Sequence, residues 1–263
     1  MQFDQRSVLV TGSTSGIGEA TAVAFARDGH TVFVNGRDAG RTAAAADRIR
    51  RAVGETAGKI VPVAADISTT EGAQEIFETV PTVEVLVNNA GIYTETPAFE
   101  ISDDEWRFHF EVNVLSGVRL TRHYAPRMAE RGWGRIIFIS SECGVATPEE
   151  MIHYGMTKSA QLAVSRGFAI AVAGTGVTVN SILPGPTRTQ GAEDFVFNLY
   201  GDIPFEEAER RYFATYRPTS LLQRFTLPSE VANLIRYVGS EESAATTGAA
   251  LRVDGGVIPT IIP

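Results

Sequence analysis

Short apolar and β-branched runs alternate along the chain with longer, often Ala-rich segments of helical pattern. The runs predict strands over residues 7–10, 31–34, 59–64, 83–87, 135–139, 177–183 and 250–253. The segments between them predict helices over residues 16–28, 39–53, 70–79, 103–131, 154–173 and 229–237. Strands that are apolar throughout are typical of a parallel sheet covered on both faces by its crossover helices. The pattern therefore predicts a doubly wound, Rossmann-type three-layer α/β sandwich with a mostly parallel, seven-stranded sheet.

The length of 263 residues suits one large α/β domain, so we expect residues 1–263 to form a single unit. The segment 191–226 departs from the alternation because it is rich in Phe and Tyr and carries Pro204 and Pro218. We interpret it as a helical substrate lid. Its aromatic side chains have two interpretations: they line an apolar pocket for a hydrophobic ketone, or they pack the lid onto the body or onto a neighbouring subunit.

The charge and the cysteine content narrow the range of partners. A net charge of -8 argues against nucleic acid or an anionic membrane surface, since both require a field of the opposite sign. Cys143 is the single cysteine, which excludes an internal disulfide and a Cys-rich metal site. The four histidines lack ligand spacing, so no metal is expected. No apolar run approaches the roughly 20 residues of a membrane span, and we expect a cytoplasmic protein.

A glycine-rich loop, with the sequence TGSTSGIG, joins the first predicted strand to the first helix. A strand, a glycine turn and a helix N-terminus bring unpaired N–H groups and the positive end of the helix dipole to one point, which suits a pyrophosphate. The spacing is G-x-x-x-G-x-G, and no G-K-[ST] follows, which argues against a nucleoside triphosphatase loop. The expected cofactor contacts in this loop are Gly12, Ser13, Ser15, Gly16, Ile17 and Gly18.

The end of the second strand indicates which dinucleotide binds. An acidic residue there would accept hydrogen bonds from a ribose 2'-hydroxyl, whereas an arginine accommodates a 2'-phosphate. Gly36 stands where the acid would be expected, and Arg37 and Arg41 follow it. We therefore predict NADP(H) in preference to NAD(H), with Ser13 as a further hydroxyl. The alternative is that both arginines only solvate the next helix.

Polar residues also follow the third and fourth strands, at the sheet edge where ligands bind in a parallel α/β fold. Asp66 and Ile67 follow the third strand, and Asn88, Ala90 and Gly91 lie at the end of the fourth. We expect all five to contact the cofactor. Purely structural roles are also open: Asp66 would cap a loop, and Asn88 would tie strands together.

Tyr154 and Lys158 lie one turn apart on a predicted helix and so share one face. An adjacent ammonium favours the phenolate and would lower the pKa of Tyr154 toward the working range of a general acid or base. Ser141, at the end of the fifth strand, can donate to a carbonyl oxygen on which negative charge develops. Ser140 competes for this role but is expected to point to the other side of the strand.

These residues together resemble the short-chain dehydrogenase/reductase family, of the compact single-domain branch. The resemblance spans nearly the whole chain and follows the order of its motifs: TGxxxGIG at 11–18, Asp66, NNAG at 88–91, Asn113, Ser141, Tyr154-x-x-x-Lys158 and Pro184-Gly185 followed by Thr187 and Thr189. It implies that Tyr154 is the acid/base, that Ser141 orients the carbonyl and that Lys158 also holds the nicotinamide ribose. It further implies that Asn113 binds a water that relays protons.

The resemblance also implies that Pro184, Gly185, Thr187 and Thr189 cover the nicotinamide. The long helices at 103–131 and 154–173 would pair with copies of themselves in dimers or tetramers. Cys143 and His153 flank the catalytic residues and are candidates for lining the substrate pocket, with packing as the alternative for Cys143.

The predicted function is NADP(H)-dependent interconversion of a carbonyl and a secondary alcohol. Two enzymatic alternatives are a 3-oxoacyl-[acyl-carrier-protein] reductase and an NAD(H)-dependent alcohol dehydrogenase. Two features argue against the carrier-protein reductase. The chain is acidic and would repel an acidic carrier protein. In the carrier-protein reductases basic residues flank the ends of the two long helices, whereas Gly132 and Thr175 stand at these places here, and Arg131 is the nearest basic residue. A dinucleotide-sensing protein without turnover is the alternative from another class.

Overall fold

A computed structural model describes residues 5–54 and 58–262. Seven strands form one sheet in the order β3-β2-β1-β4-β5-β6-β7, and each neighbouring pair is parallel. The prediction of a seven-stranded parallel sheet is confirmed. The strands are β1 (Ser7–Val10), β2 (Thr31–Gly36), β3 (Ile60–Ala64), β4 (Val85–Asn88), β5 (Gly134–Ile139), β6 (Val177–Pro184) and β7 (Ala250–Val253).

The helices cover both faces of the sheet. They are α1 (Gly16–Arg27), α2 (Ala39–Val53), α3 (Thr70–Thr79), α4 (Asp103–Phe110), α5 (Ser116–Glu130), α6 (Ile152–Ala171), α7 (Gln190–Tyr200), α8 (Phe205–Tyr216) and α9 (Pro228–Val238). One apolar core joins the sheet to α1, α2 and α9, and a second core joins it to α5, α3 and α6. This three-layer arrangement is the Rossmann-type sandwich that the sequence predicts. No helix in the described part of the chain is long and apolar enough to cross a membrane.

Strands β1 and β4 are neighbours at the centre of the sheet. From this pair the strand order runs to β2 and β3 on one side and to β5, β6 and β7 on the other, so the order reverses between β1 and β4. At such a point the two adjacent crossovers leave on opposite faces and open a crevice at the carboxyl ends of the strands. The glycine-rich loop after β1 and the NNAG segment after β4 both lie there. The fold therefore places the predicted binding motifs side by side.

The predicted continuous helix over 103–131 is interrupted. A π-helical turn, Glu111–Leu115, separates α4 from α5, and Asn113 lies in its middle. Such insertions of one extra residue per turn are frequent at functional sites. No Pro or Gly within 111–115 indicates the turn from sequence, which explains why the pattern predicts one helix.

Helices α7 and α8 form a helical insertion between β6 and α9. The insertion has an apolar cluster of its own, which includes Val196, Tyr212, Phe213 and Phe225. An isolated parallel bridge between Thr187 and Thr226 joins its two ends. Its aromatic side chains pack mainly against one another, which neither interpretation of the sequence anticipates. Phe195, Tyr212, Tyr216 and Phe225 also line a cavity beneath it, as the first interpretation expects.

Candidate active site

The loop after β1 has the backbone of a dinucleotide cradle. Gly12 and Gly16 adopt positive φ angles of 61° and 58°, which other residues rarely do. A Cβ on Gly18 would lie 2.5 Å from the carbonyl oxygen of Gly12, so only glycine permits this close packing. Ser15 makes no side-chain cap at the start of α1, which leaves the first helical N–H groups available. These features fit a pyrophosphate at this helix N-terminus.

Two cavities meet at this loop along the carboxyl edge of the sheet. One, of 330 Å³, lies at the ends of β2 and β3. The other, of 490 Å³, extends from the loop past β5 to the helical insertion. Ser15, Asn89 and Gly91 line both, so the two cavities form one continuous cleft. This shape fits an elongated ligand with a binding group at each end.

Most of the residues predicted to bind the cofactor line this cleft. They are Gly12, Ser15, Gly16, Ile17, Gly18, Arg37, Asp66, Ile67, Ala90, Gly91, Tyr154, Lys158, Pro184, Gly185, Thr187 and Thr189. Asp66 has a structural role as well, because its Oδ1 accepts hydrogen bonds from the backbone and hydroxyl of Ser68. The cofactor and loop-capping roles inferred for Asp66 are therefore compatible.

Two of the predicted contacts point away from the cleft. The Ser13 hydroxyl is fully buried, donates to the carbonyl of Val10 (2.7 Å) and accepts from the amide of Asn35 (3.0 Å). The Asn88 amide is buried and donates to the Thr121 hydroxyl on α5 (3.2 Å). Both side chains hold the fold together, so the sequence-based expectation of cofactor contact is corrected for them.

Asn89, which the sequence argument did not select, lines the cleft instead of Asn88. Its Nδ2 donates to the carbonyl oxygens of Thr11 and Gly12, at 2.9 and 3.1 Å. The side chain thereby joins the end of β4 to the glycine-rich loop. Successive side chains of a strand point to opposite sides, and this alternation is the signal that distinguishes the two asparagines.

Arg37 and Arg41 both line the 330 Å³ cavity. Within the described residues, neither guanidinium forms an ion pair with a carboxylate. Asp38 lies beside them, but its carboxylate accepts from the backbone amide of Arg41 (2.7 Å) and caps α2. The acid next to this cavity therefore has a structural partner, whereas the two arginines present positive charge to it.

Ser141, Tyr154 and Lys158 all line the 490 Å³ cavity. Ser141 follows β5, and the other two lie on α6. The hydroxyl of Ser140 donates to the carbonyl oxygen of Lys158 (2.8 Å) and ties β5 to α6. Ser140 thus has a positioning contact, which leaves Ser141 as the serine beside Tyr154.

The Lys158 ammonium is buried in this wall. Its Nζ donates to the carbonyl of Ile139 (2.9 Å) and to Oε1 of Gln161 (3.3 Å), and it lies 5.4 Å from the centre of the Tyr154 ring. Burial lowers the pKa of Lys158 from 10.5 to about 8. Gln161, which was not predicted from the sequence, lies one turn further along α6 and holds the lysine in place.

The Tyr154 phenol differs from the sequence-based expectation. Burial raises its pKa well above 10, and the charge of Glu142 raises it further, while a hydrogen bond with Ser141 lowers it. The lowering by Lys158 that the sequence predicts is not among the main contributions to this shift.

Asn113 lies near Lys158, but its side chain forms hydrogen bonds with Ile92 and Thr157 and none with the lysine. Its side chain accepts from the Ile92 amide (2.8 Å) and donates to the Ile92 carbonyl (3.0 Å) and to the Thr157 hydroxyl (2.9 Å). A Cβ on Gly91 would lie 3.3 Å from Asn113 Oδ1 and 3.4 Å from Lys158 Nζ, so both polar groups approach the same small gap.

Cys143 and His153 have different surroundings. Cys143 lines the cavity, and burial raises the pKa of its thiol to about 12, so the thiol is protonated and unreactive at neutral pH. His153 is fully buried away from the cavity and bonds the Thr94 hydroxyl (2.8 Å) beside His109. The expectation that His153 lines the pocket is therefore wrong. Among the described residues, no group of three His, Cys, Asp or Glu side chains could hold a metal.

The cavity also contains a charged pair that was not predicted from the sequence. Glu142 follows Ser141 directly, and its carboxylate lies 3.6 Å from the guanidinium of Arg217, at the end of α8. Glu142 stands out in the sequence only as a charged residue that follows Ser141 at a strand end. Arg217 lies far away along the chain, and no sequence pattern connects the two residues.

Comparison with known proteins identifies the family of the chain. Residues 6–196 match the family model described as short chain dehydrogenase. The chain is 43% identical to the uncharacterized oxidoreductase YvaG of Bacillus subtilis over 99% of both proteins, and 31% identical to the 3-oxoacyl-[acyl-carrier-protein] reductase FabG of Aquifex aeolicus over 95% of this chain and 96% of that protein. The L-sorbose reductase of Gluconobacter frateurii, solved with NADPH and L-sorbose, superposes with a TM-score of 0.90, at 30% identity and over 98% of both chains. The chain belongs to the short-chain dehydrogenase/reductase family and is an oxidoreductase that acts on carbonyl or CH–OH groups.

Proposed function

We propose that the protein is an NADP(H)-dependent oxidoreductase that interconverts a carbonyl and a secondary alcohol, with Tyr154 as the general acid and base. One observation carries this proposal: Ser141, Tyr154 and Lys158 line the same cavity as the glycine-rich loop. The acid/base group, the proposed carbonyl donor and the proposed pyrophosphate cradle thus share one cleft.

Each group in the site has a separate role in carbonyl reduction. Bound NADPH supplies a hydride to the carbonyl carbon. Tyr154 donates a proton to the oxygen, for which its raised pKa keeps it in the protonated form. Ser141 donates a hydrogen bond to the same oxygen as negative charge develops. Alcohol oxidation uses the same groups in reverse, with the tyrosinate as the base.

Lys158 and Asn113 supply positive charge and a path for protons. The buried lysine, with a pKa of about 8, stabilises negative charge on Tyr154 when the proton has left. It also holds the nicotinamide ribose. Asn113 approaches Lys158 across Gly91 and binds the relay water that the family resemblance implies.

The preference for NADP(H) is supported by Arg37 and Arg41, which line the cavity at the end of β2 while Asp38 caps α2. A guanidinium pairs with a 2'-phosphate through charge-assisted hydrogen bonds. The similar L-sorbose reductase was solved with NADPH. Ser13 is excluded from this role because its hydroxyl is bonded within the fold.

Fluorescence titration of NADPH and NADH tests the cofactor proposal. We expect NADPH to bind more tightly, and Arg37→Ala to weaken NADPH binding by about tenfold or more with little effect on NADH. Arg51→Ala is the matched control, since this exposed arginine of α2 does not line the cavity. Tenfold tighter binding of NADH by the wild-type protein would refute the NADP(H) preference.

The carrier-protein reductase alternative has weaker support. Arg131, the nearest basic substitute at the helix end, donates to the carbonyl oxygen of Val83 (2.9 Å). This bond occupies one of its guanidinium nitrogens within the protein. The sensing alternative predicts tight NADPH binding without turnover on a broad carbonyl panel.

We further propose that residues 1–263 form one domain, that the insertion acts as a substrate lid and that the protein is a cytoplasmic homo-oligomer, dimeric or tetrameric. Ile170 on α6 is 64% exposed and Phe110 on α4 is 37% exposed, which supports pairing of these helices with a second copy. Light scattering after size-exclusion chromatography tests this. A monomer at micromolar concentration would refute the oligomer.

A further inference from the structure

The hydroxyl proton of Ser141 already has a partner in the protein. Ser141 Oγ donates to Oε2 of Glu142 at 2.6 Å and accepts from the backbone amide of Cys143 at 3.1 Å. A serine hydroxyl carries a single proton. The proton that the proposed mechanism directs to the substrate carbonyl is therefore committed to Glu142.

The Glu142 carboxylate is held in the wall of the cavity. Its side chain is 7% exposed, and Arg217 approaches its other oxygen, Oε1, at 3.6 Å. Both residues line the 490 Å³ cavity beside Ser141 and Tyr154. A buried carboxylate that loses a hydrogen-bond donor is destabilised unless another donor takes its place. If Ser141 donated its proton to the carbonyl of a simple ketone, Oε2 of Glu142 would lose its hydrogen-bond donor and be destabilised.

We propose that the substrate is an α-hydroxy ketone, whose hydroxyl donates to Glu142 and thereby frees the Ser141 proton for the adjacent carbonyl oxygen. This inference rests on the proposed reductase function and names its substrate class. The two neighbouring oxygens of such a substrate pair with the two neighbouring oxygens of Ser141 and Glu142. In the direction of oxidation, the matching substrate is a vicinal diol.

The charges around Arg217 favour a neutral substrate of this class. Glu95, Glu142 and Glu150 all line the cavity, whereas Arg217 is the cation at the insertion and Lys158 lies by Tyr154. With three carboxylates and two cations in its lining, the cavity would repel the carboxylate of a 2-oxo acid. A plain hydrophobic ketone would desolvate the same charges and offer no hydrogen-bond donor in return.

The test compares 1-hydroxy-2-butanone with 2-butanone in steady-state NADPH oxidation, using wild type, Glu142→Leu and Glu142→Gln. We expect the wild type to prefer the hydroxy ketone by about tenfold or more in kcat/KM, because a site built for a substrate hydroxyl rejects the analogue that lacks it. Glu142→Leu should lower kcat/KM for the hydroxy ketone and raise it for 2-butanone, because the Ser141 proton is then free for the carbonyl oxygen, so that the preference disappears. Glu142→Gln retains an acceptor oxygen and should keep part of the preference.

Glu149→Leu is the matched control, since this exposed neighbour does not line the cavity and should behave as wild type. Equal rates on both ketones in the wild type would overturn the inference. Equal losses on both ketones in Glu142→Leu, with no partial rescue by Glu142→Gln, would also overturn it by showing a purely structural role. If the wild type reduces other carbonyl compounds but neither of these two ketones, only the proposed substrate class is overturned. If it reduces no carbonyl compound, the proposed reductase function is overturned and this inference with it.

Discussion

Replacing Lys158 with Met should make the protein more stable at neutral pH. Burial lowers the lysine pKa from 10.5 to about 8, which corresponds to a cost of about 3 kcal/mol for the buried charge in the folded state. Methionine removes this cost but loses the hydrogen bonds to Ile139 and Gln161, at about 1 kcal/mol or less each. The variant should therefore gain about 1 to 2 kcal/mol in free energy of unfolding at pH 7.

The sign of this effect depends on pH. Below pH 8 Lys158 is protonated in both states, and the wild type bears the whole cost. Between pH 8 and 10.5 the folded state releases its proton first, so the wild type gains stability relative to the variant as pH rises. The advantage of the variant should disappear toward pH 10.5, where the neutral amine still makes its hydrogen bonds.

Urea denaturation of the cofactor-free protein at pH 7 and near pH 10 measures both differences. Lys59→Met is the control, because this exposed residue is the only other lysine in the chain. Its substitution should change stability little at either pH. A Lys158→Met variant that is less stable than wild type at pH 7, or whose difference from wild type does not change with pH, would refute the reasoning.

Two further predictions concern the acid/base group and a helix start. Tyr154→Phe should bind NADPH as wild type does, by fluorescence titration, and lower kcat by about 10² or more; near-normal turnover would remove Tyr154 from the mechanism. Glu230→Gln should destabilise the protein by less than about 1 kcal/mol, since the pair is partly exposed. Hydrogen bonds from Arg224 and from the Leu227 amide lower the pKa of Glu230 to about 2. The loss should therefore be seen above about pH 4.5 and fade as pH falls toward 2, and a loss that persists at pH 2 would contradict this origin.

The sheet and the cleft could be predicted because their determinants are local. Apolar runs of strand length mark the seven strands, and the glycines after β1 are required by the backbone itself, as the positive φ of Gly12 shows. Tyr154 and Lys158 share a helix face by their spacing alone. These predictions needed no knowledge of distant contacts.

The remaining features depend on neighbours that the sequence does not identify. Asn88 ends β4 and Asn89 follows it, and the elements that pack against each side of the sheet decide which of them contacts α5 and which contacts the glycine-rich loop. The pKa of Tyr154 follows from burial, which a motif does not contain. The pairing of Glu142 with Arg217 joins the end of β5 to the end of α8 and exists only after the chain has folded.

The helical insertion has a consequence for engineering. Because Val196, Phe213 and their neighbours form an apolar cluster separate from the two cores of the sheet, its cavity side can be redesigned with limited risk to the scaffold. Tyr216, which lines the cavity and is 40% exposed, is a suitable first position for a substitution library. New catalysts for other ketones could thus be sought by changing this module alone.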